Sequence, residues 1–354
     1  MPSTSWHPSA PRCVTQWVRN LRTAGRGDLR VGRRVDSFTA HELPDAEKIA
    51  ILRAYLTKRK FEVGKFFGGV GPDATGLDLT PGARDNLPMD DTTTTPEIRY
   101  EVDDHVAVLT FNRPDRMNTI SGPMLEQLSA LLLKADRDPE IRCIVITGEG
   151  KAWCAGLDIR AQTEGTGLQV AGNPGELEMR DAPPIVLHSI DTPTIAALNG
   201  GAAGYGMDLA LGCDIRIAGP TAKLAAAFTK RGIVPESGGT WLLPRIVGYA
   251  KAAELAFTGR TLNAQECLEL GLVNHVVEAG ELMKVAMDMA GEIAGNAPLA
   301  VRATKRMMRM GETETFEQNV HHVFLQLLPL FRTKDFEEGM RSYLERRPPN
   351  FTGR

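Results

Sequence analysis

An α/β architecture with a helical C-terminal region is predicted for this chain by three features. From residue 98 onward, short apolar runs of strand length alternate with stretches of helical spacing. Two of those runs, CIVIT at 143–147 and TIAAL at 194–198, lead directly into turns of small residues. Beyond residue 262 the apolar spacing is wholly helical. Ahead of all this, residues 1–88 carry fourteen Lys and Arg against nine Asp and Glu, a net of +5. The whole chain sums to −3, so the remainder holds −8. A stretch over 75–96, rich in Gly, Pro and Asp and containing four consecutive threonines from Thr92 to Thr95, reads as a linker between units of different origin. We therefore expect a small α+β N-terminal extension over 1–88, an α/β core over 89–262 and a helical region over 263–354.

Within the extension, residues 27–35 alternate apolar and polar like a hairpin, and Pro44 and Asp45 open a helical stretch reaching about residue 67. In the core, 106–111 (VAVLTF) is a strand. Residues 122–136 form a helix with Met124, Leu128, Leu131 and Leu132 on one face, and 141–147 is a second strand. Helices follow over 264–270, 282–294, 298–310 and 315–328.

Composition narrows the function. At 354 residues and 42% apolar content, the chain has material for about two domains and an ample core. A net charge of −3 gives no electrostatic case for nucleic acid. No apolar run approaches the roughly 18 residues of a membrane span, and residues 1–12 lack the apolar stretch of a signal peptide. Five cysteines, odd in number and scattered, fit buried free thiols in a reducing cytoplasm. There is no CxxC motif or histidine cluster to hold a metal.

The two small-residue turns are KAWCAGLD at 151–158 and NGGAAGYGMD at 199–208, the second opening a helix at about Met207. Two such turns at strand ends can aim two backbone N–H groups at one oxygen, as needed to stabilise an enolate. Glycines alone would also serve tight turns of no chemical role. A dinucleotide loop is excluded, because the GxGxxG order and its later acidic partner are missing.

From about residue 96 to 354 the chain resembles the crotonase (enoyl-CoA hydratase/isomerase) superfamily. The resemblance rests on RPDRMN at 113–118, the turns at 153–158 and 199–208, CDIR at 213–216, GIVPESGGT at 232–240 and the ending RPPNFTGR. It implies a spiral core of ββα turns, a C-terminal helical region that builds homotrimers or homohexamers, and an acyl-CoA substrate without a further cofactor. It also implies oxyanion donors at the amides of Leu157 and Tyr205, with Ala155, Gly204 and Phe228 as substrate-binding residues. Coenzyme A contacts would fall on Arg116 and Met117, and on Tyr343 and Arg346 near the C-terminus. Separately, residues 13–74 resemble the C-terminal part of deazaflavin-dependent nitroreductase-like proteins. That piece is too partial a barrel for flavin binding, and Met89 is a candidate true start.

Two acids are placed for proton transfer. By the resemblance, Asp208 stands at the first catalytic glutamate position of enoyl-CoA hydratases, whereas the second falls on Phe228, which can neither take nor give a proton. Glu236, just after Pro235, matches the base of the double-bond and epoxide isomerases. Hydration needs two carboxylates around a water, while isomerisation needs one shuttling base. We expect an isomerase with Glu236 as shuttle, assisted by Asp208. The alternatives are a hydratase using both acids and a non-catalytic acyl-CoA-binding protein. Asp158 and Asp214 are read as structural.

Overall fold

The computed structural model describes residues 26–31, 34–39, 96–158 and 182–354. The chain divides into two units, Met1–Thr93 and Thr94–Arg354. In the first, β1 (Arg26–Val31) and β2 (Arg34–Thr39) pair antiparallel as a hairpin with Val31 opposite Arg34, as the alternation over 27–35 anticipates. The helix expected over 44–67 and most of the nitroreductase-like segment lie outside the described residues.

The second unit opens with β3 (Ile98–Asp103) and β4 (Val106–Phe111). They are joined through Asp104 and His105, both in the left-handed region, as a two-residue hairpin with the right strand twist requires. Ser121 caps α1 (Gly122–Arg137) by accepting a hydrogen bond from the Met124 amide at 3.1 Å. Then come β5 (Cys143–Gly148), β6 (Ala152–Cys154), α2 (Pro183–Ser189), β7 (Thr194–Leu198), β8 (Gly201–Ala203), α3 (Tyr205–Gly212), β9 (Ile215–Ala218) and β10 (Lys223–Ala225). Helices α4 (Gly239–Val247) and α5 (Tyr249–Thr258), β11 (Thr261–Asn263), α6 (Ala264–Glu269) and β12 (His275–Val276) complete the core.

Each of β5, β7 and β9 lies in a six-stranded sheet of order β12-β9-β7-β5-β4-β3. Its successor, β6, β8 or β10, lies in a four-stranded sheet of order β11-β10-β8-β6. This stepping from one sheet to the other, repeated three times, is the spiral expected from the ββα pattern. The central strands are buried on both faces, which explains their unbroken apolar runs. Ile144, Ile146 and Ala196 point into the main core with Trp153 and Met124. Their neighbours Cys143, Val145 and Ile195 face Ala286 and Ala290 of α7 (Leu282–Ala294).

Beyond α7 run α8 (Pro298–Gly311), α9 (Phe316–Leu330) and α10 (Lys334–Glu345). One side of α8 is cationic and docks on the loop ends of the core. Arg302 pairs with Asp136 at 3.0 Å, Lys305 with Asp214 at 2.7 Å and Arg309 with Asp191 at 2.8 Å, and Arg306 also pairs with Asp191. By contrast, α9 has no buried residue, and Phe316, Val320, Phe324 and Leu328 are exposed along it.

Candidate active site

Strands β6 and β8 run parallel with Cys154 opposite Ala202, so the chain leaves both at the same end of the sheet. Leu157 and Tyr205 each stand three residues beyond that pair. Gly156 bridges the gap between the two turns: its φ is +96°, and a Cβ there would lie 2.7 Å from the Ala203 carbonyl oxygen and 3.6 Å from the Tyr205 nitrogen. Only glycine permits that approach. Ile120 donates to the Gly156 carbonyl at 2.8 Å and accepts from the Asp158 amide at 3.1 Å, a parallel bridge that turns the Leu157 N–H the other way. Tyr205 is the first residue of α3, where the N–H has no partner within the helix. Neither amide has a hydrogen-bond acceptor among the described residues.

Two asparagines hold these turns. Buried Asn118 donates to the carbonyls of Glu149 and Ala152 at 3.0 and 2.7 Å and accepts from the Arg113 amide. Asn199 accepts from Gly148 and donates to the Gly150 and Ala152 carbonyls. Asp158 pairs with Arg113 at 3.1 Å, and Asp214 accepts from the Thr194 amide and hydroxyl and pairs with Lys305, in keeping with structural roles.

Asp208 occupies the first turn of α3 and is 2% exposed. Its Oδ2 accepts from Ser237 Oγ at 2.7 Å and from the Gly239 amide at 3.0 Å. Burial pushes its carboxyl up to about 7, outweighing those two bonds, and the nearby charge of Glu236 adds to the rise. Glu236 sits at the exposed rim of the segment leading into α4, while Ser237 and Gly239 are buried. Partial desolvation raises its carboxyl too. The Tyr205 phenol is pushed up, first by burial and then by the charge of Glu236, with smaller contributions from Cys154 and Asp208. Tyr205, Asp208 and Glu236 thus share one electrostatic neighbourhood.

Phe228 is buried, with ring carbons 3.9 Å from the Cβ position of Gly204, so that side of the turn presents an apolar ring and no acid. A cavity of about 200 Å³ opens beside Asp208, Pro235 and Gly239 and is walled by Ala226, Tyr249 and Phe257. Ser237 falls within the GIVPESGGT segment, but nothing in the sequence marks its bond to Asp208 or the cavity beside it.

Of the expected coenzyme A contacts, Arg116 and Met117 lie at a 3-10 turn tied to the first small-residue turn, since the Met117 carbonyl accepts from the Ala155 amide at 3.1 Å. Tyr343 and Arg346 are exposed at the end of α10, and no hydrogen bond, ion pair or ring contact among the described residues joins them to the turns. No group of three His, Cys, Asp or Glu among the described residues could hold a metal ion.

Residues 101–354 match the enoyl-CoA hydratase/isomerase family. The chain is 37% identical over 264 residues to the 1,2-epoxyphenylacetyl-CoA isomerase of Escherichia coli, covering 73% of this chain and 98% of that protein. It is 36% identical over 258 residues to the (E)-benzylidenesuccinyl-CoA hydratase of Thauera aromatica, covering 72% and 99%. Among solved structures, the enoyl-CoA hydratase of Bacillus anthracis superposes with a TM-score of 0.68 at 33% identity, over 73% of this chain and all of that one.

Proposed function

The chain belongs to the enoyl-CoA hydratase/isomerase family, and we propose that it moves the double bond of an unsaturated acyl-CoA, with Glu236 as the proton shuttle. The carboxylate of Glu236 takes a proton from C2 of a 3-enoyl thioester. The electrons of that C–H bond pass to the thioester oxygen, where the amides of Leu157 and Tyr205 hold the charge; each well-placed donor contributes about 3 kcal/mol. The proton returns from Glu236 to C4 as the C2=C3 bond and the carbonyl re-form. The observation that carries this reading is that Glu236, its carboxyl raised and its charge felt by Tyr205, takes a hydrogen bond only from its own backbone amide among the described residues, whereas Asp208 is engaged by both Ser237 and Gly239. Phe228 supplies no second free acid.

Alongside these, Ala155 and Gly204 line the thioester, and Arg116, Met117, Tyr343 and Arg346 are the contacts proposed for coenzyme A. A homotrimer or homohexamer is the proposed assembly, supported by the uncovered apolar residues of α9. The free, buried cysteines Cys143, Cys154, Cys213 and Cys267 support a reducing, cytoplasmic setting. Hydration is the second reading, favoured by the mutual proximity of Asp208 and Glu236 and by the carboxyl of Asp208 lying near 7. Assay of the purified protein against 3-enoyl-CoA and 2-enoyl-CoA of several chain lengths separates the two. Conversion of the 3-enoyl to the 2-enoyl thioester without water addition is expected; water addition to the 2-enoyl thioester as the faster reaction would overturn the isomerase assignment.

A further inference from the structure

Glu236 is carried by a segment that is largely exposed ahead of it and buried only from Ser237 onward. Ile233 and Val234 project into solvent, 48% and 71% exposed, and Gly238 takes a left-handed φ of +100° just before α4. The Tyr205 amide, in contrast, is fixed at the head of α3, whose residues from Tyr205 to Leu211 are all buried. A base and an oxyanion donor must keep a set separation, yet they lie on these two unlike elements. Among the described residues, the hydrogen bonds joining α3 to residues 233–239 are those that Asp208 Oδ2 receives from Ser237 Oγ at 2.7 Å and from the Gly239 amide at 3.0 Å. The contact is close: a Cβ on Gly239 would lie 2.2 Å from Asp208 Oδ1, so glycine at the first position of α4 is what lets the carboxylate seat there. The two donors fall one and three residues beyond Glu236, bracketing the turn that aims it.

On the reading of Glu236 as the base, we infer that Asp208 is a positioning residue, which ties the Glu236 segment to α3 and thereby sets the base against the Tyr205 amide. The role asks only for an oxygen that accepts two hydrogen bonds. An asparagine carbonyl offers the same lone pairs in nearly the same shape, whereas alanine offers none. A residue that exchanged protons with substrate would be disabled equally by either change.

The test measures kcat and KM on a 3-enoyl-CoA for Asp208→Asn, Asp208→Ala, Ser237→Ala and Glu236→Gln in the full-length protein, with folding checked by circular dichroism and thermal melting. A misplacement on the ångström scale costs about a hundredfold, so Asp208→Ala should lower kcat by about that factor with KM changed by no more than about threefold. Asp208→Asn should keep a kcat at least about tenfold above that of Asp208→Ala, and Ser237→Ala, losing one of two bonds, should fall between the parent and Asp208→Ala. Equal losses in the Asn and Ala variants, or a parental kcat in Ser237→Ala, would overturn the inference. If Asp208→Ala does not fold, Ser237→Ala decides: a lowered kcat at unchanged KM supports the tie, and a parental kcat refutes it. A Glu236→Gln protein with parental kcat would instead remove the underlying reading, and so is told apart from failure of the positioning role.

Discussion

Gly156→Ala should push apart the turns that carry the amides of Leu157 and Tyr205, proposed as the oxyanion donors, its Cβ starting 3.6 Å from the Tyr205 nitrogen. At φ +96° an alanine pays a backbone strain of about 1–2 kcal/mol, and its Cβ would start 2.7 Å from the Ala203 carbonyl oxygen. Comfortable contact lies near 3.5 Å, so the turn bearing Leu157 must retreat from the turn bearing Tyr205 by up to about 0.8 Å. If both amides aim at one oxygen as proposed, a shift of that size lowers kcat by about a hundredfold, equivalent to about 2.7 kcal/mol of barrier. The assay follows formation of the conjugated 2-enoyl thioester by its absorbance, with the melting temperature recorded in parallel. Gly201→Ala is the matched control, because a Cβ there meets nothing within 4 Å; its kcat should stay within about twofold of the parent. A folded Gly156→Ala protein whose kcat matches that of Gly201→Ala would refute the paired-amide geometry.

Three further outcomes are expected. The carboxyl of Asp208 is raised from 3.8 to about 7 in the folded chain, so the native state keeps a proton that the unfolded chain releases, and stability from this group is lost as pH rises from about 4 through 7. Urea melts of Asp208→Asn should therefore gain on the parent across that window by up to about 4 kcal/mol, and a pH-independent difference would contradict this. Burial alone would raise the carboxyl of Asp191, but the bonds and charges of Arg306 and Arg309 hold it below its usual range. Its contribution is thus present above the ordinary carboxylate range and lost as pH falls through the lowered value. Asp191→Asn should cost about 1–3 kcal/mol near neutral pH by chemical denaturation, loosening α8, and no measurable loss would show the ion pairs to be incidental. Removing residues 1–88 should leave acyl-CoA turnover nearly intact, since the family match begins at residue 101; a soluble, assembled truncation without activity would contradict it.

Much of the core was legible because its strands and helices are short, apolar and periodic. VAVLTF forms β4 as read, and the spacing of Leu282, Ala286, Ala290 and Ala294 marks α7 at its observed bounds. The start of α3 was placed late because Tyr205 and Gly206 carry no helical signal of their own; their place is set by the close seat of Gly206 on the Cys154 carbonyl. Helix α10 carries a weak apolar signal, since half of its twelve residues are charged and its Thr333 cap is its clearest mark. At the site, the two turns could be read because each follows its strand within a few residues. The bond from Ser237 to Asp208 spans 29 residues of chain, and that of Asn118 to Ala152 spans 34. Such long-range polar pairs leave no local pattern, so the anchoring of Glu236 and of the first turn emerged only with the fold.

The central claim is that Glu236 moves the proton, and the rate of Glu236→Gln on a 3-enoyl-CoA tests it most directly. Glutamine keeps the size and polarity of the side chain and removes its capacity to take a proton. The account predicts a kcat lower by about a hundredfold or more with acyl-CoA affinity little changed. A Glu236→Gln enzyme that turns over at the parental rate, while Asp208→Asn abolishes activity, would make Asp208 the acid/base group and contradict the account.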